Sequence, residues 1–327
     1  MESPTYLHAG KVINSRYRLI TPIGSGTLAQ VYLADDIRVR KQTIVKVFDA
    51  PFRSGNEVED DFQISLQDLA RTSHPNLIKI LDWGSGEISY IVTEFLAGGD
   101  LRAMLQQDAS LSVAQITLIM MEILKGTSFL HERGKVHGGL KPENVIFSLN
   151  GDLKLSDTGM GSVSAKYFSS ELVTEGPYVS PELSQGGLLS PAADVYAIAA
   201  IFKELIHTKL PESKNTAETQ EIDSELLKEL EAVFASALSA KASERPTANA
   251  LLKITSEVNI KNAKPALLPV RNSLNLNLLE AFDDKPEAIA VGDKSNFKAR
   301  LKRATLYLKS HLSRWLWLLV MAIPVSY

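Results

Sequence analysis

Short stretches of this chain gather glycines, lysines, an asparagine and an aspartate, residue types suited to holding phosphate and a cation. GSGTLAQVY (24–32) places Gly24, Gly26 and the small Ala29 around Val31. Small residues let a backbone approach phosphate oxygens and donate N–H groups to them. Alone, the stretch also reads as an ordinary hairpin turn. Lys46 in TIVK follows on the next strand, where a lone lysine would simply be solvated. VHGGLKPEN (136–144) supplies Lys141 and Asn144, and LSDTG (155–159) supplies Asp157. Gly138 and Gly139 leave the middle of VHGGLKPEN without a side chain, so no proton acceptor stands there.

The elements that must position these residues change in kind along the chain. Residues 17–48 are rich in β-branched and aromatic residues broken by Gly, Asp and Lys, and predict three antiparallel strands. Residues 57–72 predict a helix with Phe62, Leu66 and Leu69 on one face. NLIKILDWGSGEISYIVTEF gives two more strands about a Gly-Ser-Gly turn. From Leu111 the pattern turns helical. Ile116, Ile119, Ile123 and Leu130 recur near helical spacing, and Gly134 is a stop. Further helices are expected over 190–207, 224–239 and 247–257. Residues 259–296 are polar with scattered Pro and Asn, and read as a linker.

Composition narrows the function classes. The 327 residues are 45% hydrophobic, enough for a sizeable core. Net charge is −3, and a general nucleic-acid binder would be basic, so no nucleic-acid partner is expected. With no cysteine, disulfides, thiolate nucleophiles and cysteine-ligated metals are excluded. The opening residues, MESPTYLHAG, lack the basic start and apolar run of a secretory signal.

The order of these motifs resembles a eukaryotic-type protein kinase domain, in the style of bacterial membrane-anchored Ser/Thr kinases, over roughly residues 15–258. The resemblance implies an α+β, two-lobed kinase-like fold: a small antiparallel β lobe with one helix, then a larger, mainly α lobe. The expected organisation is an N-terminal extension (1–16), N-lobe (17–95), C-lobe (96–258), linker (259–296) and a basic, apolar-ended anchor (297–327). It also implies ATP and magnesium as cofactors. Gly24, Gly26 and Val31 match the glycine-rich loop, and Lys46 matches the lysine on the α- and β-phosphates. Glu94 falls in the hinge that meets adenine, with Thr93 at the gatekeeper position. Lys141 matches the catalytic-loop lysine, and Asn144 and Asp157 match the magnesium ligands. Glu182, Asp194 and Arg245 match residues that hold the fold.

The departures cluster around one cleft. Gly139 replaces the aspartate that accepts the substrate hydroxyl proton, and a positioned base typically contributes about 10²–10⁴-fold. Ser65 stands where a glutamate should pair with Lys46; Asp61 and Asp68, one turn to either side, are the candidate substitutes. Gly138 replaces an arginine, Thr158 the phenylalanine of the DFG stretch, and Ile44 an alanine against adenine. Glu175 falls where a threonine is usual. No intact catalytic set is therefore expected. The leading expectation is a pseudokinase: a membrane-tethered regulatory or protein-binding module with weak or absent ATP binding. The alternatives are an active or weakly active Ser/Thr kinase, and a docking domain that binds no nucleotide.

From Lys294 to the end the chain carries seven Lys or Arg and no Asp or Glu, and Trp315–Val325 is wholly apolar. Eleven apolar residues are too few to span a bilayer, which takes about 20. Either the chain stops partway through a spanning helix or a short anchor enters one leaflet. A core helix packed on the body is the plainer alternative, but the positive charge suits an anionic cytoplasmic face. Residues 294–327 are expected to bring the chain to anionic vesicles. Removing 315–327 should leave weak, salt-sensitive binding, because the charged attraction that remains is screened within about 8–10 Å. Vesicle co-sedimentation at low and high salt checks this. An intact chain that ignores vesicles would favour the core helix.

Overall fold

The computed structural model describes residues 7–25, 29–48, 57–84, 88–107, 110–160, 175–209 and 217–261. Two compact units divide the chain, Met1–Leu274 and Asn275–Tyr327, and every described residue lies in the first. The predicted linker beyond 261 and the basic tail lie outside the described residues.

Alternating residues of the first strands have two different surroundings, and this builds the N-lobe. Six strands, β1 (Val12–Ile13), β2 (Tyr17–Ser25), β3 (Ala29–Asp36), β4 (Lys41–Phe48), β5 (Ile80–Gly84) and β6 (Ser89–Glu94), form an antiparallel sheet ordered β1-β2-β3-β4-β6-β5. In β4, Val45 and Val47 point to a core with Tyr17, Leu19, Tyr32, Tyr90 and Val92. Period-two alternation turns Ile44, Lys46 and Phe48 to the opposite face. There Phe48 joins Ala29, Ile91 and the fully buried Leu66 of helix α1 (Glu57–Ala70). Of the expected extension 1–16, β1 belongs to this lobe, since it pairs with β2.

The C-lobe forms around α3 (Val113–His131). Ser112 and Gln115 make a reciprocal capping box at its start. Gly134, with φ +66°, closes the turn after its end. The expected apolar stripe, Ile116, Ile119, Ile123 and Leu130, is wholly buried. α3 is long and apolar enough to cross a membrane, but it is the core helix here, packed by α5 (Pro191–Lys209), α6 (Ala217–Ala235) and α7 (Ala248–Lys261). The sequence reading missed the short helices α2 (Leu101–Leu105) and α4 (Pro181–Ser184) and the hairpin β7 (Val145–Phe147)–β8 (Leu153–Leu155). Each is only three to five residues long, too short for a periodicity to show.

A cavity of about 40 Å³ remains between α1 and the 157–160 stretch. Leu66, Leu69, Ile80, Ile91, Thr158 and Met160 are among its walls. Thr158, standing where an aromatic was expected, buries a hydroxyl that meets no hydrogen-bond partner among the described residues. An orphaned buried hydroxyl costs about 1–3 kcal/mol. The isosteric Thr158→Val should therefore stabilise the domain by about 1 kcal/mol and raise Tm by about 2–4 °C. Thermal unfolding checks this, and a lowered Tm would show that the hydroxyl is satisfied.

Glu182 and Arg245 lock the far end of the C-lobe. The buried Arg245 guanidinium donates to both Glu182 carboxylate oxygens (2.7 and 2.6 Å), and to the carbonyls of Ser239 (2.8 Å) and Ala192 (2.9 Å). Those bonds hold the Glu182 carboxyl at about 2, well below its ordinary 4.5. The folded state thus prefers the ionised acid. Its contribution is complete above the unfolded value, near pH 4.5, and is lost as pH falls through about 2. A shift of that size corresponds to about 3 kcal/mol. Glu182→Gln should remove stability by roughly that amount at pH 7 and by little near pH 2, read by urea unfolding across that range. Equal losses at both pH values would mean the carboxylate charge is not what matters.

Candidate active site

Strand register brings the first group of predicted residues into line. Gly24 pairs with Val31, Val31 with Lys46, and Lys46 with Ile91. Directly opposed residues share a face, so Val31 and Lys46 look into the same cleft. Ile44 shares that face two residues along β4, as its expected place beside a bound base requires. Gly26 lies outside the described residues.

The second group is placed by one buried carboxylate. Asp194, in the first turn of α5, accepts the N–H groups of His137 (2.7 Å) and Gly138 (2.8 Å) and contacts His131 Nε2 (2.9 Å). Gly138 has φ +73°, a conformation that favours glycine. The loop then runs through Gly139 and Lys141 into a short 3-10 turn, Pro142–Asn144. Asn144 Nδ2 donates to the Gly139 carbonyl (2.7 Å), and the Ser156 N–H donates to the Asn144 carbonyl (2.9 Å). Asp157 follows on the neighbouring stretch. Burial keeps the His137 imidazole below its ordinary range.

Gly139 is exposed, and its backbone is not left-handed. A Cβ built on it meets nothing nearer than Asn144 Nδ2 at 3.9 Å. The position has room for an aspartate, so the missing base reflects residue choice rather than crowding.

Lys46 makes an ion pair with Asp157. Burial, with the charge of Lys141 adding to it, pulls the Lys46 ammonium down to about 8, and the contacting Asp157 carboxylate favours the charged form. Asp68 does not substitute for the missing glutamate: its carboxylate pairs with Lys135, on the loop after α3. It neighbours Ser65 on the helix, three residues on, but its exposed carboxylate is taken by Lys135. Asp61's side chain lies outside the described residues. Asp157 itself has φ +60°, and Gly159, φ +76°, has no room for a Cβ because Leu69 of α1 occupies the space. The 157–159 turn and α1 are thus packed against each other directly.

Among the described residues, Glu94 is engaged. The Glu94 side chain accepts from Lys154 Nζ (2.7 Å) and the Lys79 N–H (2.8 Å), and its own N–H donates to the Lys79 carbonyl (3.1 Å). Thr93, beside it, lines the cavity behind Lys46. Glu175 is exposed. Sequence reasoning did not single out Arg102. From α2 it bonds Glu143 of the catalytic loop (2.9 Å) and Glu204 of α5 (2.5 Å), and Tyr178 joins both Arg102 and Glu204. Burial, then the bond to Glu204, pushes the Tyr178 hydroxyl up to about 12, so it stays a donor. No local pattern marks such a residue, since its partners lie 41, 76 and 102 positions away.

Magnesium prefers all-oxygen shells with one or two carboxylates. The Asp157 carboxylate and the amide oxygen of Asn144 are donors of that kind and would hold the ion together with the phosphates of a bound nucleotide. In this structure the carboxylate carries the Lys46 ammonium.

The chain was compared with known proteins. It is 30% identical over 207 residues to serine/threonine-protein kinase PrkC of Bacillus subtilis, a match covering 62% of this chain and 32% of that protein. It is 33% identical over 214 residues to probable serine/threonine-protein kinase PknB of Lactococcus lactis, covering 63% and 34%. This chain thus spans about a third of the length of these curated relatives. Among solved structures, the PknI kinase domain of Mycobacterium tuberculosis superposes with a TM-score of 0.59 at 21% identity, covering 77% of this chain and all of that one, which supports the fold alone. The family profile described as protein kinase domain matches residues 17–262. With two lobes, a Lys46–Asp157 cleft and a loop gripped by Asp194, this chain belongs to the protein kinase domain family and is homologous to bacterial Ser/Thr kinases.

Proposed function

We propose that this domain is a catalytically silenced protein kinase homologue, a regulatory or protein-binding module whose cleft takes ATP weakly. The observation that carries the reading is Gly139. The loop around it is held in place by Asp194 and Asn144, and the position has room for a side chain, yet no proton acceptor is there. A substrate hydroxyl brought to this loop would meet no group able to orient it or take its proton. Lys46 adds to this. With Ser65 on α1 in place of a glutamate, its ion pair is with Asp157, so an anchor for the phosphates is tied to the residue that would hold the metal. Lys141, exposed at the loop, and Lys46 remain the cations for a bound polyphosphate.

Residues 294–327 complete the proposal. Their charge and the apolar run from Trp315 support placement at the cytoplasmic face of the cell membrane, with a protein partner recruited there.

The second reading, an active Ser/Thr kinase, is favoured by the names of the curated relatives. Purified protein is expected to show no phosphoryl transfer above a Lys46→Ala control. Gly139→Asp should fold as the parent does and still fail to restore normal turnover, because Lys46 keeps Asp157 as its partner. Radiolabel transfer from ATP to the chain or to a generic acceptor measures both. Stoichiometric autophosphorylation that Lys46→Ala abolishes would establish the active enzyme instead.

A further inference from the structure

A second recess, of about 440 Å³, opens where the C-terminal end of α1 meets that of α3. Asp68, Arg71, Ser73, Phe129, Arg133 and Lys135 are among its walls, and no residue assigned to nucleotide or metal is one of them. Its size falls within the range of ligand sites, about 300–1,000 Å³. Three cations stand in it against one carboxylate, Asp68, which Lys135 already holds. Arg71 and Arg133 are exposed, and neither makes an ion pair among the described residues. The neighbouring acids do not cancel them. Glu132 is exposed and is no wall of the groove, and Glu122 is bound by Lys125 and Asn76. Asp61 and the acids before it on α1 precede Arg71 by ten residues or more, about 15 Å along the helix axis.

Arg133 is also held ready. Its guanidinium lies over the Phe129 ring, 3.6 Å from the centroid, and donates to the Phe129 carbonyl (3.2 Å). His74 packs on the same ring, with 4.6 Å between centroids. A guanidinium fixed in this way loses little freedom on meeting a carboxylate, and its planar fork matches the two oxygens.

We propose that this groove docks an acidic, Asp- or Glu-bearing segment of a protein partner, whose carboxylates pair with Arg71 and Arg133. Charge complementarity selects that occupant. The groove is recessed, so side chains of an extended segment reach into it where a flat lipid surface would meet only its rim. The proposal rests on the protein-binding reading above and gives that partner a chemistry, yet it needs nothing from the nucleotide cleft. Phosphoryl-transfer and peptide-binding measurements therefore fail separately.

Asp68 gives the test a second sign. Arg71→Glu and Arg133→Gln each remove a cation, whereas Asp68→Asn removes the one acid and frees Lys135 as a third cation. Residues that only held α1 against α3 would not respond in opposite directions.

The probe is a dye-labelled peptide, (Glu-Ser)₆, titrated by fluorescence anisotropy against the intact 327-residue chain in detergent micelles, with (Gln-Ser)₆ as its control. Every variant keeps the basic tail, so differences between variants report the groove. Arg71→Glu and Arg133→Gln should each weaken the Kd about threefold to fivefold, and together about tenfold or more. Asp68→Asn should tighten it several-fold. Thermal unfolding checks that each variant folds as the parent does. Arg71 makes no side-chain hydrogen bond among the described residues, so Arg71→Glu carries the test alone if Arg133→Gln lowers Tm. An unchanged Kd on removing the arginines, a Kd weakened by Asp68→Asn, or a Gln peptide bound as tightly as the Glu peptide overturns the proposal. So does a variant lacking both arginines that keeps the peptide but loses phosphatidylserine vesicles, which would make the groove a lipid contact.

Discussion

Two backbone N–H groups, from His137 and Gly138, meet the buried carboxylate of Asp194, and His131 closes on it from the end of α3. Charge-assisted bonds in a site shielded from water are strong, and removing one partner leaves a buried charge uncompensated. This carboxylate ties the loop carrying Gly139, Lys141 and Asn144 to the core helices α3 and α5. The grip acts on the backbone before the catalytic position and on no side chain there. Gly139 therefore leaves the loop's shape intact. Recognition of the fold and maintenance of its chemistry rest on different atoms, so one can persist without the other.

A similar separation holds in the N-lobe. Leu66 is fully buried and Leu69 presses on Gly159, while Asp68 pins the end of α1 to Lys135. Apolar packing seats the helix against the sheet and the 157–160 stretch, and Lys46 turns to Asp157 for its counter-charge. With Thr158 in place of an aromatic, the contact between helix and turn is thinner and encloses a small cavity. Among the described residues, α1 is thus held by hydrophobic contact, which has no direction, together with the Asp68–Lys135 ion pair at its end.

Much of this arrangement was legible beforehand. The strands of the N-lobe fall where β-branched runs broken by Gly and Asp placed them, since period-two alternation is a local property. The buried face of α3 follows from the spacing of Ile116, Ile119, Ile123 and Leu130. Asp68 shows the limit. Its spacing from Ser65 made it a candidate partner for Lys46, but helical spacing says which side chains are neighbours on the helix, not what lies across from them. Arg102 shows the same limit from the other side. Its ion pairs with Glu143 and Glu204 join three distant segments, and nothing within a window of its own sequence distinguishes it from a surface arginine.

The residues alone determined that this chain has the order of a kinase domain and that positions 65 and 139 carry no acid. Those are facts of composition and spacing, independent of how the chain folds. Only the tertiary structure decided who partners whom. It gave Lys46 to Asp157, Asp68 to Lys135 and Asp194 to the loop backbone, and it left open space at Gly139. The reason is that an ion pair is chosen by distance and burial. These are set when two lobes, far apart along the chain, are packed around one cleft.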